Sequence, residues 1–186
     1  MTPSNASLAR AVLVPLDNLD LYWPPILAAL TSLTIPDAPV QVAALATVAV
    51  ETGIFAPIPE KGVPSWFENH YGYTSKAGPI LGNVNPGDGM KYAGRGFIQI
   101  TGRFNYTHFG KVIPIPDLVD HPELALDPEI AAKVLARYFV ERGVPALARR
   151  GEWVAVRKAV NGGSNGLQRF LQLVKNLEGV FTPKEA

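Results

Sequence analysis

VQVAALATVAV, residues 40–50, places apolar or small side chains on nearly every helical face and ends abruptly at Glu51. Asp37 followed by Pro39 marks a helix start, and the helix continues through Gln41–Glu51 until Gly53 stops it. DPEIAAKVLARYFVERG reads the same way, with Asp127 as N-cap, Pro128 in the first turn and Gly143 past the end. EWVAVRKAV and GLQRFLQLVKNLEGV repeat apolar residues at helical spacing, and Trp153 is placed on the apolar face of its helix, in the core. Residues 53–110 break the pattern, holding 11 of the 17 glycines and Pro57, Pro59, Pro64, Pro79 and Pro86. Such a stretch is loop-rich with room for one or two short strands. One strand is expected at FIQIT, with Phe97, Gln99 and Thr101 on one side and Ile98 and Ile100 facing the core. The prediction is an α+β domain, mostly helical, in which a small β/loop region walls a substrate cleft.

Composition narrows the class. The 186 residues, 47% hydrophobic and 18% charged, suit a single globular domain spanning residues 1–186. Without cysteine there is no disulfide framework, thiol nucleophile or Cys-based zinc site. MTPSNASLARAVLVPLDNLD lacks the basic start and unbroken apolar run of a signal peptide, and Pro24 and Pro25 interrupt the apolar residues 21–35. The expectation is a soluble protein made in the cytoplasm, without stable membrane association. Net charge is +1, but residues 131–186 hold 10 Lys/Arg against 4 Asp/Glu. That basic third favours an anionic partner such as a cell-wall polymer or nucleic acid; solvated helix faces at Arg137, Arg142, Arg149 and Arg150 are the plainer explanation.

The chemistry is sought in ETGIFAPIPE, where Glu60 follows Glu51 by nine positions. Glutamate is rarely buried without a reason. Burial and the negative end of a helix both disfavour the charged form, which suits a carboxyl that must donate a proton. Glu60 lies in a Pro-rich loop beside Lys61 and is expected to stay ionised. Two carboxylates in contrasting surroundings are the equipment for glycosidic hydrolysis. Helix capping by Glu51 and solvation of Glu60 are the bland alternative, and Glu68 is a third candidate. In the expected strand, Gln99 and Thr101 point to a wetter face that suits a water or sugar hydroxyls. GDGMKYAGRG is no phosphate loop, because no Gly-Lys-Ser/Thr follows.

Four pieces, ETGIFAPIPE, LGNVNPGDGMKYAGRGFIQITGRFNY, LVDHPELALDPEIAA and VRKAVNGGSNGL, resemble the family 19 glycoside hydrolases, above all the endolysins of bacteriophages and prophages. Together they span roughly residues 40–170, and the GRGFIQITGRFNY block is the specific part. The resemblance implies a lysozyme-like fold and hydrolysis with net inversion. It assigns Glu51 as general acid, Glu60 as the base that activates water, and Thr101 as a residue that positions that water. Gln99, Asn105, Tyr106 and Asn161 match sugar-contacting positions, and Arg95 is expected to organise the loop and the catalytic carboxylates. Trp66, in the Gly/Pro-rich segment, is a candidate for stacking on a sugar. Related endolysins often read YEGR before the LGN, where this chain reads YGYTSKAGPILGN. If a glutamate there is the base in some relatives, Glu60 or Glu68 must serve here.

The expected activity is endolysin-type cleavage of β-1,4 bonds in peptidoglycan glycan strands by a monomer. The protein would act on the wall after release from the host cytoplasm, with no metal, organic cofactor or nucleic-acid partner. Alternatives are a chitinase on the same fold, a lytic transglycosylase and a non-catalytic wall-binding module. His70, His108 and His121 are scattered and show no metal-ligand spacing, and no serine sits in a G-x-S-x-G elbow.

Overall fold

Residues 2–115 and 117–182 are described here by a computed structural model. The chain divides into two units, Met1–Ala56 with Leu135–Ala186, and Pro57–Val134.

The first unit is helical. It contains α1 (Asn5–Val12), α2 (Leu16–Ser32) and α3 (Ala38–Thr52). At its centre is α3, whose residues from Val42 to Ala49 are all buried. Four alanines among them let neighbouring helices approach closely, and Gly53 ends the helix at φ 73 as its sequence predicts. Helix α2 runs straight through Pro24 and Pro25, because Leu19, Trp23, Ile26 and Leu30 form a buried stripe at helical spacing that outweighs two missing N–H donors.

Three more helices pack on this core, after the last residues of the long helix from Pro128. The three lie at Val144–Arg149, Trp153–Asn161 and Leu167–Phe181. The last buries Phe170, Leu173, Val174 and Leu177, and contacts both α3 and α1. Trp153 is half-buried rather than core: its indole N–H donates to Glu178 Oε1 at 3.0 Å, and with Glu152, Val154 and Lys158 it lines a shallow pocket of about 380 Å³.

The second unit holds β1 (Ile58–Pro59), α4 (Pro64–Tyr71), α5 (Asp88–Lys91), β2 (Arg95–Gly96), α6 (Arg103–Val112), a 3-10 turn at Pro122–Leu126 and the start of α7 (Pro128–Glu141). In chain order, the helices after α7 are α8 (Val144–Arg149), α9 (Trp153–Asn161) and α10 (Leu167–Phe181). Asp127 caps α7 as expected, its Oδ1 accepting from Glu129 and Ile130 N–H at 2.9 and 3.0 Å. The strands form an antiparallel ribbon, Ile58 opposite Gly96 and Pro59 opposite Arg95.

FIQIT is not a strand. Arg95 and Ile100 bridge each other across a tight turn in which Gly96 (φ 89) and Gln99 (φ 53) take left-handed conformations. Phe97 and Ile100, three apart, enter the core instead of the alternate pair Ile98 and Ile100. The second unit also holds a buried polar cluster. Asp88, 2% exposed, is paired at 2.6 Å with Arg103 and also accepts from the Val84 and Asn85 N–H groups. Burial alone would push its carboxyl up, but the Arg103 bond and the two backbone donors hold it below the ordinary value. Asn83, equally buried, accepts from Arg103 N–H and donates to Tyr71 O at 2.7 Å.

Candidate functional site

In the first unit, Glu51 sits in the last turn of α3 with its side chain 19% exposed. It is less enclosed than its helix suggests, because the chain turns away at Gly53. Arg157 of α9, 3% exposed, forms an ion pair with Glu51 Oε1 and donates through Nε to Asn165 O at 2.9 Å. Sequence reasoning missed this arginine, although a signal was present. Trp153, Val156, Arg157 and Val160 follow one helical stripe, so Arg157 occupies a core position and requires a buried acceptor. The loop after α9 makes room for the pair: a Cβ at Gly166 would lie 2.9 Å from Val50 Cγ1 and 3.3 Å from Arg157 Nη2. Asn161 ends α9, and its buried Oδ1 has no hydrogen-bond partner among the described residues. Thr47, one turn before Glu51, is fully buried, and among the described residues its hydroxyl has no partner.

In the second unit, Glu60 follows β1, its N–H donating to Gly94 O at 2.7 Å. Both carboxylate oxygens accept hydrogen bonds, Oε1 from the Tyr71 hydroxyl at 2.9 Å and Oε2 from Gly94 N–H at 3.0 Å. The missing side chain at Gly94 leaves room for both groups: a Cβ there would stand 2.9 Å from Glu60 Oε2 and 3.0 Å from Gln99 Oε1 and would displace them. The same figures make the Gln99 amide a neighbour of the Glu60 carboxylate. Gln99 Nε2 donates to Ile58 O and Gly96 O, so it fastens the turn to β1 and leaves Oε1 on the Glu60 side. Thr101 Oγ1 donates to Gln99 O at 3.0 Å, which leaves the hydroxyl only lone pairs to offer. Asn105 Nδ2 donates to Thr101 O at 2.7 Å.

Glu68 is occupied otherwise. Its Oε1 accepts from Met90 N–H at 2.9 Å, tying α4 to the first turn of α5. Arg95 organises its loop, its Nη1 donating to Lys91 O, Ala93 O and the Tyr106 oxygen; among the described residues no carboxylate pairs with it. The cation that meets a candidate carboxylate is Arg157. Tyr106 is fully buried and donates to Ala93 O, so it braces this loop from within rather than presenting a surface to a sugar. Trp66 is 37% exposed, stacked on His70 at 4.1 Å and edge-on to Tyr71 at 5.5 Å, so one indole face is covered by imidazole.

Folding also redistributes the charge of the basic third. Arg149 reaches back to Asp37 at 2.6 Å, Arg157 to Glu51, Arg137 to Glu141 and Arg150 to Glu152, while Arg142 lies over the Tyr138 ring. Lys158, Arg169 and Lys175 are exposed and have no carboxylate partner among the described residues. Also among the described residues, no three His, Asp or Glu stand together as a metal site would need, and no helix is long and apolar enough to cross a membrane.

No family model matches the chain. Its curated relatives include a glycosyl hydrolase family 19 domain-containing protein of Haemophilus influenzae, 32% identical over 96 residues, which are 52% of this chain and 46% of that protein. An endochitinase of Arabidopsis thaliana is 36% identical over 78 residues, 42% of this chain and 27% of that one. The chain thus spans less than half the length of these curated relatives. Chitinase C from Streptomyces griseus matches its structure with a TM-score of 0.68 at 20% identity, covering 95% of this chain and 75% of that one. A bacterial family 19 chitinase gives 0.66 at 19% identity, covering 94% of each chain. The fold is that of the family 19 chitinases.

Within this family 19 fold, two tyrosines mark how tightly the loops around Glu60 are built. Burial, with the Glu60 hydrogen bond and charge, pushes the Tyr71 hydroxyl up to about 12. Burial likewise pushes Tyr106 up to about 12, against the pull of Arg95. As pH rises, the unfolded chain therefore loses these protons first, and the stability they contribute is intact below about 10 and lost toward about 12. Tyr106, the more buried of the two, should account for about 2–3 kcal/mol of that loss. Urea midpoints measured across this range are expected to fall, with a shallower fall for Tyr106→Phe. An identical slope in that variant would contradict the assignment.

Proposed function

We propose that the protein is an endolysin-type peptidoglycan hydrolase that cleaves β-1,4 bonds between amino sugars with inversion. The observation that carries this reading is the separate preparation of two glutamates on a family 19 fold. Glu51 is set against the buried Arg157, whereas Glu60 is gripped by two neutral donors. In the proposed reaction Glu60 accepts a proton from water, whose oxygen bonds to the anomeric carbon. The glycosidic C–O bond breaks as Glu51, turned from Arg157 to the substrate and carrying a proton taken from solvent, passes that proton to the leaving oxygen. Thr101, its own proton committed to Gln99 O, accepts the second hydrogen of that water. The unpartnered Asn161 Oδ1 is available to a sugar hydroxyl or N-acetyl N–H, and the open face of Trp66 to a sugar ring.

Peptidoglycan, with its lactyl and peptide carboxylates, is preferred because Lys158, Arg169 and Lys175 would attract an anionic polymer. The likeness to chitinases supports the second reading, chitin hydrolysis, since both polymers carry N-acetyl sugars. Digestion of purified peptidoglycan and of chitin oligomers, followed by mass spectrometry, separates them. Muropeptides with reducing ends and intact chitin oligomers are expected. Cleavage of chitin alone would transfer the reading to chitinase, and 1,6-anhydro ends would make the enzyme a lytic transglycosylase. No product from either polymer would leave only a wall-binding role.

A further inference from the structure

A carboxylate on a loop has several rotamers, and a base that activates one water needs a single orientation. In the second unit two donors fix that of Glu60, and they differ in kind. The Gly94 N–H is backbone, brought close by the β1–β2 ribbon and by the missing Cβ at 94. The other is a side chain, the Tyr71 hydroxyl at 2.9 Å from Oε1. Tyr71 is itself held from two directions. Its backbone oxygen accepts from Asn83, which is locked to Arg103 and so to the buried Asp88. Its ring is met edge-on by Trp66 and lies 6.3 Å from Phe67. An ionised carboxylate has about four acceptor positions. With one on each oxygen occupied, the remaining lone pairs have a defined direction.

We propose that Tyr71 is the positioning residue of the catalytic base: its hydroxyl holds Glu60 Oε1 so that the free lone pairs face the attacking water. The proposal rests on the reading of Glu60 as base, and adds that the base works only while this phenol donates to it. Tyr71 touches neither substrate nor reacting atoms in this role, so its removal should be felt only through Glu60.

The test is steady-state kinetics on peptidoglycan fragments with wild type, Tyr71→Phe, Glu60→Gln and the double variant. Tyr71→Phe is expected to lower kcat about tenfold or more while KM stays within about twofold. In the Glu60→Gln background the same change should cost nothing further, because no carboxylate remains to be held. Undiminished kcat in Tyr71→Phe overturns the proposal, as does an equal loss in both backgrounds, which would place Tyr71 on the substrate. Wild-type turnover in Glu60→Gln overturns the base assignment and this proposal with it, and is recognisable from that single variant.

Should Tyr71→Phe fold poorly, 3,5-difluorotyrosine at 71 keeps the shape and the donor while ionising at lower pH. Turnover should then fall as that phenol ionises, in a range where wild type shows no such fall. A profile identical to wild type would overturn the proposal. The contact has an independent readout. A difference titration of wild type against Tyr71→Phe should show one phenol ionising at about 12, moved toward the ordinary 10.0 by Glu60→Gln. A value left unchanged by Glu60→Gln would mean that burial alone sets it and that the hydrogen bond is absent in solution, again overturning the proposal.

Discussion

Glu51→Gln should reduce hydrolysis by at least about 10²-fold, and by up to about 10⁴-fold, the range that general acid catalysis supplies. Glutamine keeps the length of glutamate and still offers Arg157 an oxygen acceptor, so the folded state should survive. Glu51→Ala is different. It would strand a guanidinium that is 3% exposed and otherwise bonded to Asn165 O. Breaking a buried pair in this way costs about 3–5 kcal/mol; Glu51 is itself 19% exposed, which favours the lower end. Glu51→Gln should therefore be folded and nearly inactive, and Glu51→Ala both inactive and early to melt. Kinetics at a temperature where all three proteins are folded, with thermal melts alongside, separates the effects. Near wild-type turnover in Glu51→Gln would remove Glu51 from the acid role.

Where local rules decide the structure, the chain was legible. Pro39 and Gly53 bracket α3 because helix starters and breakers act within a turn or two, with Asp37 at the N-cap position though its carboxylate pairs with Arg149, and Asp127, Pro128 and Gly143 bracket α7. The reading failed where a local pattern imitated another structure. I-Q-I alternates like a strand, but Gly96 and Gln99 bend the backbone into a turn that buries Phe97 and Ile100 together. Helices α4 to α6 were hidden by the glycines around them, several of which serve close approach rather than disorder. A Cβ at Gly89, for instance, would lie 2.7 Å from Phe67 O.

Charge was only partly legible, for a further reason. Counting by thirds of the chain ignores pairs such as Asp37–Arg149 and Glu51–Arg157, which lie 112 and 106 positions apart. Composition registers an excess of cations near the C-terminus, but only the fold tells which of them meet early carboxylates. The same holds for the candidate residues as a group. The sequence nominates them, whereas their partners, Arg157 for Glu51 and Tyr71 for Glu60, come from distant segments or from a helix that the sequence concealed.

The choice of base sets Glu60 against Glu68, and the two carboxylates are differently employed. Glu60 is anchored through its backbone to Gly94 on a ribbon stiffened by Pro57 and Pro59, with its side chain oriented by Tyr71 and Gly94. Neutral donors at this geometry leave lone pairs for a water. Glu68 instead satisfies Met90 N–H in the first turn of α5, and its carboxylate lies against Gly72 and Gly89, where a Cβ would come within 2.8 and 3.0 Å. Such a group is a brace. Glu60→Gln should therefore nearly abolish hydrolysis, with a loss of about 10²–10⁴-fold and little change in KM. Glu68→Gln keeps an oxygen for Met90 and loses only a charge beside a helix start, so about 0.3–1 kcal/mol of stability and little activity should go. Turnover of each variant, measured beside its melting temperature, decides the matter. Abolished turnover in Glu68→Gln with preserved turnover in Glu60→Gln would transfer the base to Glu68, and the brace would have to release Met90 for each catalytic cycle.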